Sequence, residues 1–93
     1  KNSAILINTA RGPIVDEEAL VWAIKKKEIA GAGLDVYEHE PEISKELLGM
    51  ENVIFSPHRA SATFETRNEM SRIAAQNIID VLEGKEPFGL VKV

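Results

Sequence analysis

Four residues of this chain have side chains whose types and spacing could do chemistry together: Arg11, Asp35, Glu40 and His58. A guanidinium presents its donors in a planar fork that matches a carboxylate. Arg11 could therefore bind an anionic substrate and polarise an adjacent carbonyl, or it is a surface arginine beside a turn. Asp35 could accept hydrogen bonds from a ligand amide, or serve as a cap or turn residue. Glu40 and His58 suit a general acid–base pair. A carboxylate on one imidazole nitrogen holds the tautomer, and the other nitrogen gives or takes a proton. The alternative is a solvent-facing glutamate in an acidic loop and an unrelated histidine, and sequence distance does not choose between the two. His39, Glu40 and His58 lack the helical HExxH spacing and a third firm ligand, so no metal site is expected. Arg59, directly after His58, could approach a phosphate or an anionic substrate, or reach solvent. Gly31 and Gly33 form only an isolated GxG, and nothing cradles a pyrophosphate. Any dinucleotide would be held by half a site.

These residues need elements to position them. Ala4 to Ile7 is an apolar run without alternation, which fits a strand near 4–8 buried on both faces. Asp16-Glu17-Glu18 opens a helix near 16–27. Asp16 can cap free N–H groups, and Lys25, Lys26 and Lys27 suit the negative C-terminal end. Leu20, Ala23 and Ile24 fall on one side of it and Trp22 on the other, where it could anchor a protein contact or be half-covered by a loop. Ala30 to Val36 reads as a strand near 30–36 whose small residues admit the close approach of a backbone or ligand. A short helix fits between Ile43 and Met50, and Val53-Ile54-Phe55 gives a third strand near 53–56. The longest periodic segment runs near 62–83. Met70, Ile73, Ala74, Asn77, Ile78 and Val81 follow helical spacing there, with only Asn77 breaking the apolar stripe. Gly84 and Pro87 end it and leave a tail over 84–93.

Strands alternating with helices imply an α/β fold, with three parallel strands joined by right-handed crossovers as half of a doubly wound sheet. Ligands bind such sheets at the carboxyl ends of the strands. Those ends fall at Asn8 to Arg11, Asp35 to Glu40 and Ser56 to Ala60, where the ionisable residues gather.

Composition narrows the function further. The chain has 93 residues, 15 acidic and 11 basic, for a net charge of −4. That balance argues against a nucleic-acid or anionic-membrane surface. Cysteine is absent, which removes disulfides and thiolate metal sites. No apolar run approaches a membrane span and no signal-peptide pattern is visible, so the cytoplasm is the expected compartment. The chain starts at Lys1 without an initiator methionine, which fits a processed chain or a piece of a longer one.

Taken together, these segments resemble the D-isomer-specific 2-hydroxyacid dehydrogenases. Ala4-Ile5-Leu6-Ile7-Asn8-Thr9-Ala10-Arg11-Gly12-Pro13-Ile14-Val15-Asp16-Glu17 looks like that family's strand, catalytic-arginine and helix-start segment. Ala30-Gly31-Ala32-Gly33-Leu34-Asp35-Val36-Tyr37-Glu38 with Glu40-Pro41 looks like its next strand and glutamate loop. Asn52-Val53-Ile54-Phe55-Ser56-Pro57-His58 with Ser61-Ala62-Thr63 looks like its catalytic-histidine segment. The resemblance implies a Rossmann-type NAD-binding domain, of which this chain is the C-terminal half with a long C-terminal helix. It implies hydride transfer between NAD or NADP and a 2-keto acid. Arg11 would bind the substrate carboxylate and carbonyl, His58 would be the general acid, and Glu40 would hold His58. Asp35 would hold the nicotinamide carboxamide. Thr9, Ala10 and Arg11 would line the cofactor, with His58 and Ala60 near its ring.

Formate dehydrogenases resemble this pattern but carry glutamine where Glu40 stands, so Glu40 points to a hydroxyacid enzyme. The local sequence is most similar to the glyoxylate, hydroxypyruvate and 2-ketogluconate reductase branch. Arg59 departs from the apolar residue expected after the histidine. The family's chain is several times longer, with a substrate domain and a glycine fingerprint. The implied partners are therefore the remainder of a parent dehydrogenase, toward whose substrate domain the tail would return, and a second copy in a homodimer. The isolated chain is expected to be inactive. Relatives that act as NAD-sensing corepressors, or a non-catalytic dimerisation remnant, are the alternatives.

Overall fold

The computed structural model describes residues 1–92, and Val93, the last residue of the expected tail, lies outside the described residues. The chain forms two compact units, Lys1–Ala60 and the segment from Ser61 onward. The first holds strands β1 (Ile5–Asn8), β2 (Gly31–Leu34) and β3 (Val53–Phe55), with helices α1 (Glu17–Lys25) and α2 (Lys45–Leu48). All pairings are parallel, in the order β1-β2-β3. Asn8 pairs with Leu34, and Leu34 with Phe55. Parallel pairing in this register delivers Thr9, Asp35 and Ser56 side by side at one end of the sheet.

The core lies on one face of the sheet. Leu20, Val21 and Ile24 of α1 pack with Ala32, Leu34, Tyr37, Leu47 and Val53, and Leu6 and Phe55 close the cluster. Burying each larger aliphatic side chain contributes about 1.5–3 kcal/mol. The expectation that β1 is buried on both faces is corrected here. Successive strand side chains alternate between faces. Leu6 therefore meets the core, while Ile5 and Ile7 are 65% and 67% exposed on the other side, with Ile54 at 75%. Among the described residues of the Lys1–Ala60 unit, no element covers that side. Ile7, Gly33 and Ile54 form one row across it.

Local chemistry explains the ends of α1. Asp16 Oδ1 accepts from the Ala19 N–H at 2.9 Å, the capping bond expected from sequence. The helix stops at Lys25, and Lys27 takes a left-handed φ of 59° while the Glu28 N–H reaches back to the Ala23 carbonyl at 2.9 Å. A single 3-10 turn over Gly12–Ile14, led by Pro13, is an element the sequence reading lacked.

The second unit is α3 (Phe64–Leu82), capped by Thr63, whose Oγ1 accepts from the Thr66 N–H at 3.2 Å. None of its residues is buried. The polar break in its apolar stripe has a clear task. Asn77 Oδ1 accepts from the Phe88 N–H at 3.0 Å, and Asn77 Nδ2 donates to the Phe88 carbonyl at 3.1 Å. A primary amide is matched to a peptide unit in this way and straps the tail to the helix. Asn77→Ala is expected to free the tail. Limited trypsin digestion should then cut after Lys85 several-fold faster, and an unchanged rate would remove the strap from the account. Among the described residues, no helix is long and apolar enough to cross a membrane.

Candidate active site

The buried side chain of Asn8 shapes the first strand end. Its Oδ1 accepts from the Ala10 N–H at 3.1 Å and its Nδ2 donates to the Arg11 carbonyl at 2.9 Å. This amide folds Thr9, Ala10 and Arg11 into a tight turn, as an Asn at a turn does. All three residues are exposed. The Arg11 guanidinium donates to the Ala10 carbonyl at 2.7 Å. Gly12 is buried directly against the Tyr37–Glu38 peptide, and a Cβ there would lie 1.7 Å from the Tyr37 oxygen. The arginine turn and the loop after β2 are thus in backbone contact.

Asp35 gathers the third strand end. It is 5% exposed. Its backbone carbonyl accepts from the His58 N–H at 2.9 Å. Its Oδ1 accepts from the Arg59 N–H at 2.8 Å, and its Oδ2 from the Ala60 N–H at 2.9 Å. Three successive amides therefore point at one residue, and His58 adopts a left-handed φ of 54°. Histidine tolerates that region better than most residues but not freely.

His58 Nδ1 lies 3.0 Å from Glu40 Oε2. The other carboxylate oxygen of Glu40 accepts from the Tyr37 N–H at 3.2 Å. The Tyr37 hydroxyl donates to the Ser56 carbonyl at 2.7 Å and lies 3.0 Å from the Leu34 carbonyl. Burial pushes this phenol up, so it remains a donor. Farther out, Glu17 and Glu38 make a reciprocal pair. The Glu38 N–H donates to Glu17 Oε1 at 2.9 Å and the Glu17 N–H to Glu38 Oε2 at 3.0 Å, which ties the start of α1 to the loop carrying Glu40.

Two carboxyls of the site are held below their ordinary range. The hydrogen bond with His58 lowers Glu40, followed by the Tyr37 N–H, with the charge of Arg11 adding to it. The Ser56 hydroxyl lowers Asp35, followed by the Arg59 and Ala60 amides. The stability these groups contribute is fully present above their ordinary values of 4.5 and 3.8. It is lost as pH falls through their lower folded values. Acid titration followed by Trp22 fluorescence should therefore show a loss of stability below about pH 4. In Asp35→Asn the Asp35 share of this acid dependence should vanish, and an identical acid profile would contradict it.

The structure brings Arg11, Asp35, Glu40 and His58 to one end of the sheet, with Thr9, Ala10 and Ala60 around them. His39 is not among them. It is exposed and bridges to Glu42 through its backbone. Among the described residues, no group of three or more His, Asp or Glu side chains is arranged to hold a metal ion. Arg59 contributes its N–H while remaining exposed overall, and Trp22 is 57% exposed on α1. Asn8, Gly12 and Tyr37 had no assigned role in the sequence. Asn8, at a strand end before a turn, carried a readable signal. Tyr37 carried none, because its task depends on two strand ends meeting.

Two hollows flank the site. An open cleft of about 580 Å³ lies beside Glu40 and His58, lined by Tyr37, Pro41, Ile43, Phe55, Ser56 and Pro57. A shallower hollow of about 230 Å³ on the uncovered sheet face has Ile7, Gly33 and Ile54 as its floor. Thr9, Asp35, Ser56, Arg59 and Ala60 are at its rim.

Known proteins are similar to this chain in sequence and fold. Residues 1–60 match the family described as D-isomer specific 2-hydroxyacid dehydrogenase, NAD binding domain. A protein named as a 2-hydroxyacid dehydrogenase from Staphylococcus aureus strain MRSA252 is 52% identical over 87 residues, which is 94% of this chain and 27% of that protein. A glyoxylate reductase from Paecilomyes thermophila superposes with a TM-score of 0.80 at 38% identity, over 92% of this chain and 26% of that one. An NADPH-dependent glyoxylate/hydroxypyruvate reductase from Sinorhizobium meliloti, in complex with NADP and malonate, gives a TM-score of 0.72 at 48% identity, over 85% and 25%. The chain spans under a third of the length of these relatives. With its three-stranded parallel sheet and the residues gathered at its carboxyl end, the chain belongs to the D-isomer specific 2-hydroxyacid dehydrogenase family, through that family's NAD binding domain.

Proposed function

We propose that this chain is the C-terminal catalytic part of an NAD(P)-dependent oxidoreductase that reduces small 2-keto acids, of the glyoxylate and hydroxypyruvate kind, to D-2-hydroxy acids. The observation that carries this reading is the 3.0 Å contact between His58 Nδ1 and Glu40 Oε2, made across two loops beside the Arg11 turn.

The residues present fit a nicotinamide. Gly33 leaves the floor of the hollow flat, since a Cβ there would come within 2.9 Å of Ile7 Cδ1. Apolar walls with a few polar groups at the rim suit a planar ring bearing an amide. Each oxygen of Asp35 accepts one backbone N–H and has further acceptor capacity for a carboxamide. Thr9, Ala10, Arg11, His58 and Ala60 would line the remainder, which makes a half-site. When bound, the reduced cofactor supplies the hydride.

The chain's own groups handle the rest. Arg11 pairs its fork with the substrate carboxylate and places a positive charge beside the carbonyl oxygen, where negative charge grows. With Nδ1 held by Glu40, the other ring nitrogen, Nε2, is the one that donates the proton to that oxygen. The reverse reaction returns the proton to Nε2. Glu40 stays ionised throughout because its carboxyl is held below the ordinary range. We place this chemistry in the cytoplasm, in a larger homodimeric protein whose remaining parts cover the sheet face around Ile5.

The test is a panel of 2-keto acids with NADH and NADPH, run on the full-length protein and on the 93-residue chain. The full-length protein should consume reduced cofactor with glyoxylate or hydroxypyruvate. The chain alone should show no turnover, because it spans 27% of a relative's length and carries no glycine fingerprint. Turnover by the chain alone contradicts the fragment reading. Tight NADH binding by the full-length protein without turnover would favour a nucleotide sensor instead.

A further inference from the structure

Asp35 is built into the site in a way that a carboxamide acceptor would not require. Its main-chain oxygen and both side-chain oxygens accept from three consecutive amides, His58, Arg59 and Ala60, at 2.8–2.9 Å. The histidine at the head of this run has a left-handed backbone with φ 54°. A non-glycine residue in that region is held there by its surroundings rather than by its own preference. The side chain of His58 is half exposed and hydrogen-bonds Glu40. Its aim is therefore set mainly by its backbone, and the backbone is set by Asp35.

We propose that Asp35 is a positioning residue for His58, whose ionised carboxylate holds the His58-Arg59-Ala60 turn so that the imidazole meets Glu40 with Nε2 left free. The proposal rests on the reading of His58 as the proton donor. Its chemistry requires two acceptor oxygens. An asparagine offers one oxygen and one NH2, and the NH2 would face an N–H donor instead of accepting from it.

The experiment uses the full-length protein with Asp35→Asn, Ser56→Ala and His58→Asn. Asp35→Asn should lower kcat at saturating NADH about 10- to 100-fold, with KM for the keto acid within about 3-fold of wild type. Amide hydrogen exchange at residues 58–60 should quicken at least ~10-fold while β1 and β2 stay protected. Ser56→Ala removes only the hydroxyl beside the carboxylate. It should shift kcat and exchange in the same direction by about 2- to 5-fold, which keeps the test readable if Asp35→Asn does not fold. A Kd for NADH that weakens at least ~10-fold while kcat at saturating NADH is kept would overturn the proposal, leaving Asp35 as a cofactor contact. Exchange that quickens evenly through the sheet would overturn it too, because the role would then be structural. If His58→Asn leaves kcat unchanged, the reading of the site fails, and this inference with it. If His58→Asn is inactive but neither Asp35→Asn nor Ser56→Ala alters exchange at 58–60, the inference alone fails.

Discussion

Gly12→Ala is expected to destabilise this chain by about 3 kcal/mol or more, the upper part of the range for single substitutions. The reason is backbone against backbone. A methyl group at residue 12 would sit 1.7 Å from the Tyr37 oxygen, 2.0 Å from its carbonyl carbon and 2.7 Å from the Glu38 nitrogen. None of these atoms ends a flexible side chain, so relief requires the arginine turn and the loop after β2 to separate. Separation would also pull the Tyr37 N–H from Glu40 and the Glu38 N–H from Glu17. A small domain has only about 5–15 kcal/mol in total, so a large unfolded fraction should appear at room temperature or on mild heating. Urea unfolding followed by Trp22 fluorescence measures it. Gly49→Ala is the control. A Cβ there would meet only the Glu46 and Lys45 carbonyl oxygens at 3.7 and 3.9 Å, so a change within about 1 kcal/mol is expected. Equal midpoints for the two variants would show that the close approach at Gly12 is not what constrains that turn.

His58→Asn in the full-length protein is expected to lower kcat by about 10²- to 10⁴-fold, the usual contribution of a positioned general acid. Asparagine suits this test because it tolerates a left-handed backbone, so the turn held by Asp35 should persist. It cannot transfer a proton. Binding of NADH should change by less than about 3-fold, since the substitution removes the donor and leaves the hollow over Gly33 intact. A variant that keeps wild-type kcat would remove His58 from the chemistry. One that loses NADH binding as well as rate would make its role structural.

The residues proposed to do the chemistry were legible because their types are few and their positions regular. Arg11, Asp35 and His58 each fall just after an apolar run, and a parallel sheet must bring such positions to one end. The start of α1 was legible in Asp16, and the start of α3 lay near Thr63. Each residue caps by its own local geometry and needs no distant partner. The stripe on α3 and its polar interruption were also visible, although the purpose of Asn77 was not. Its partner is the Phe88 peptide, and a backbone group leaves no mark in a pattern of side chains.

Other features required the chain to be folded. Whether Glu40 meets His58 or faces water depends on the Tyr37 N–H, the Ser56 carbonyl and the path of two loops, none of which a spacing encodes. The left-handed backbone of His58 follows from three amides converging on Asp35, a long-range arrangement. The exposure of Ile5, Ile7 and Ile54 follows from which sheet face α1 covers. An unbroken apolar run reads alike whether one face or both are buried. Sequence alone determined the residue types, the residues that cap α1 and the alternation of parallel strands with helices, because these rest on local preference and on period. Tertiary structure decided which groups touch, because contact between residues 18 to 25 positions apart is set by register and loop path, and many paths suit the same sequence spacing.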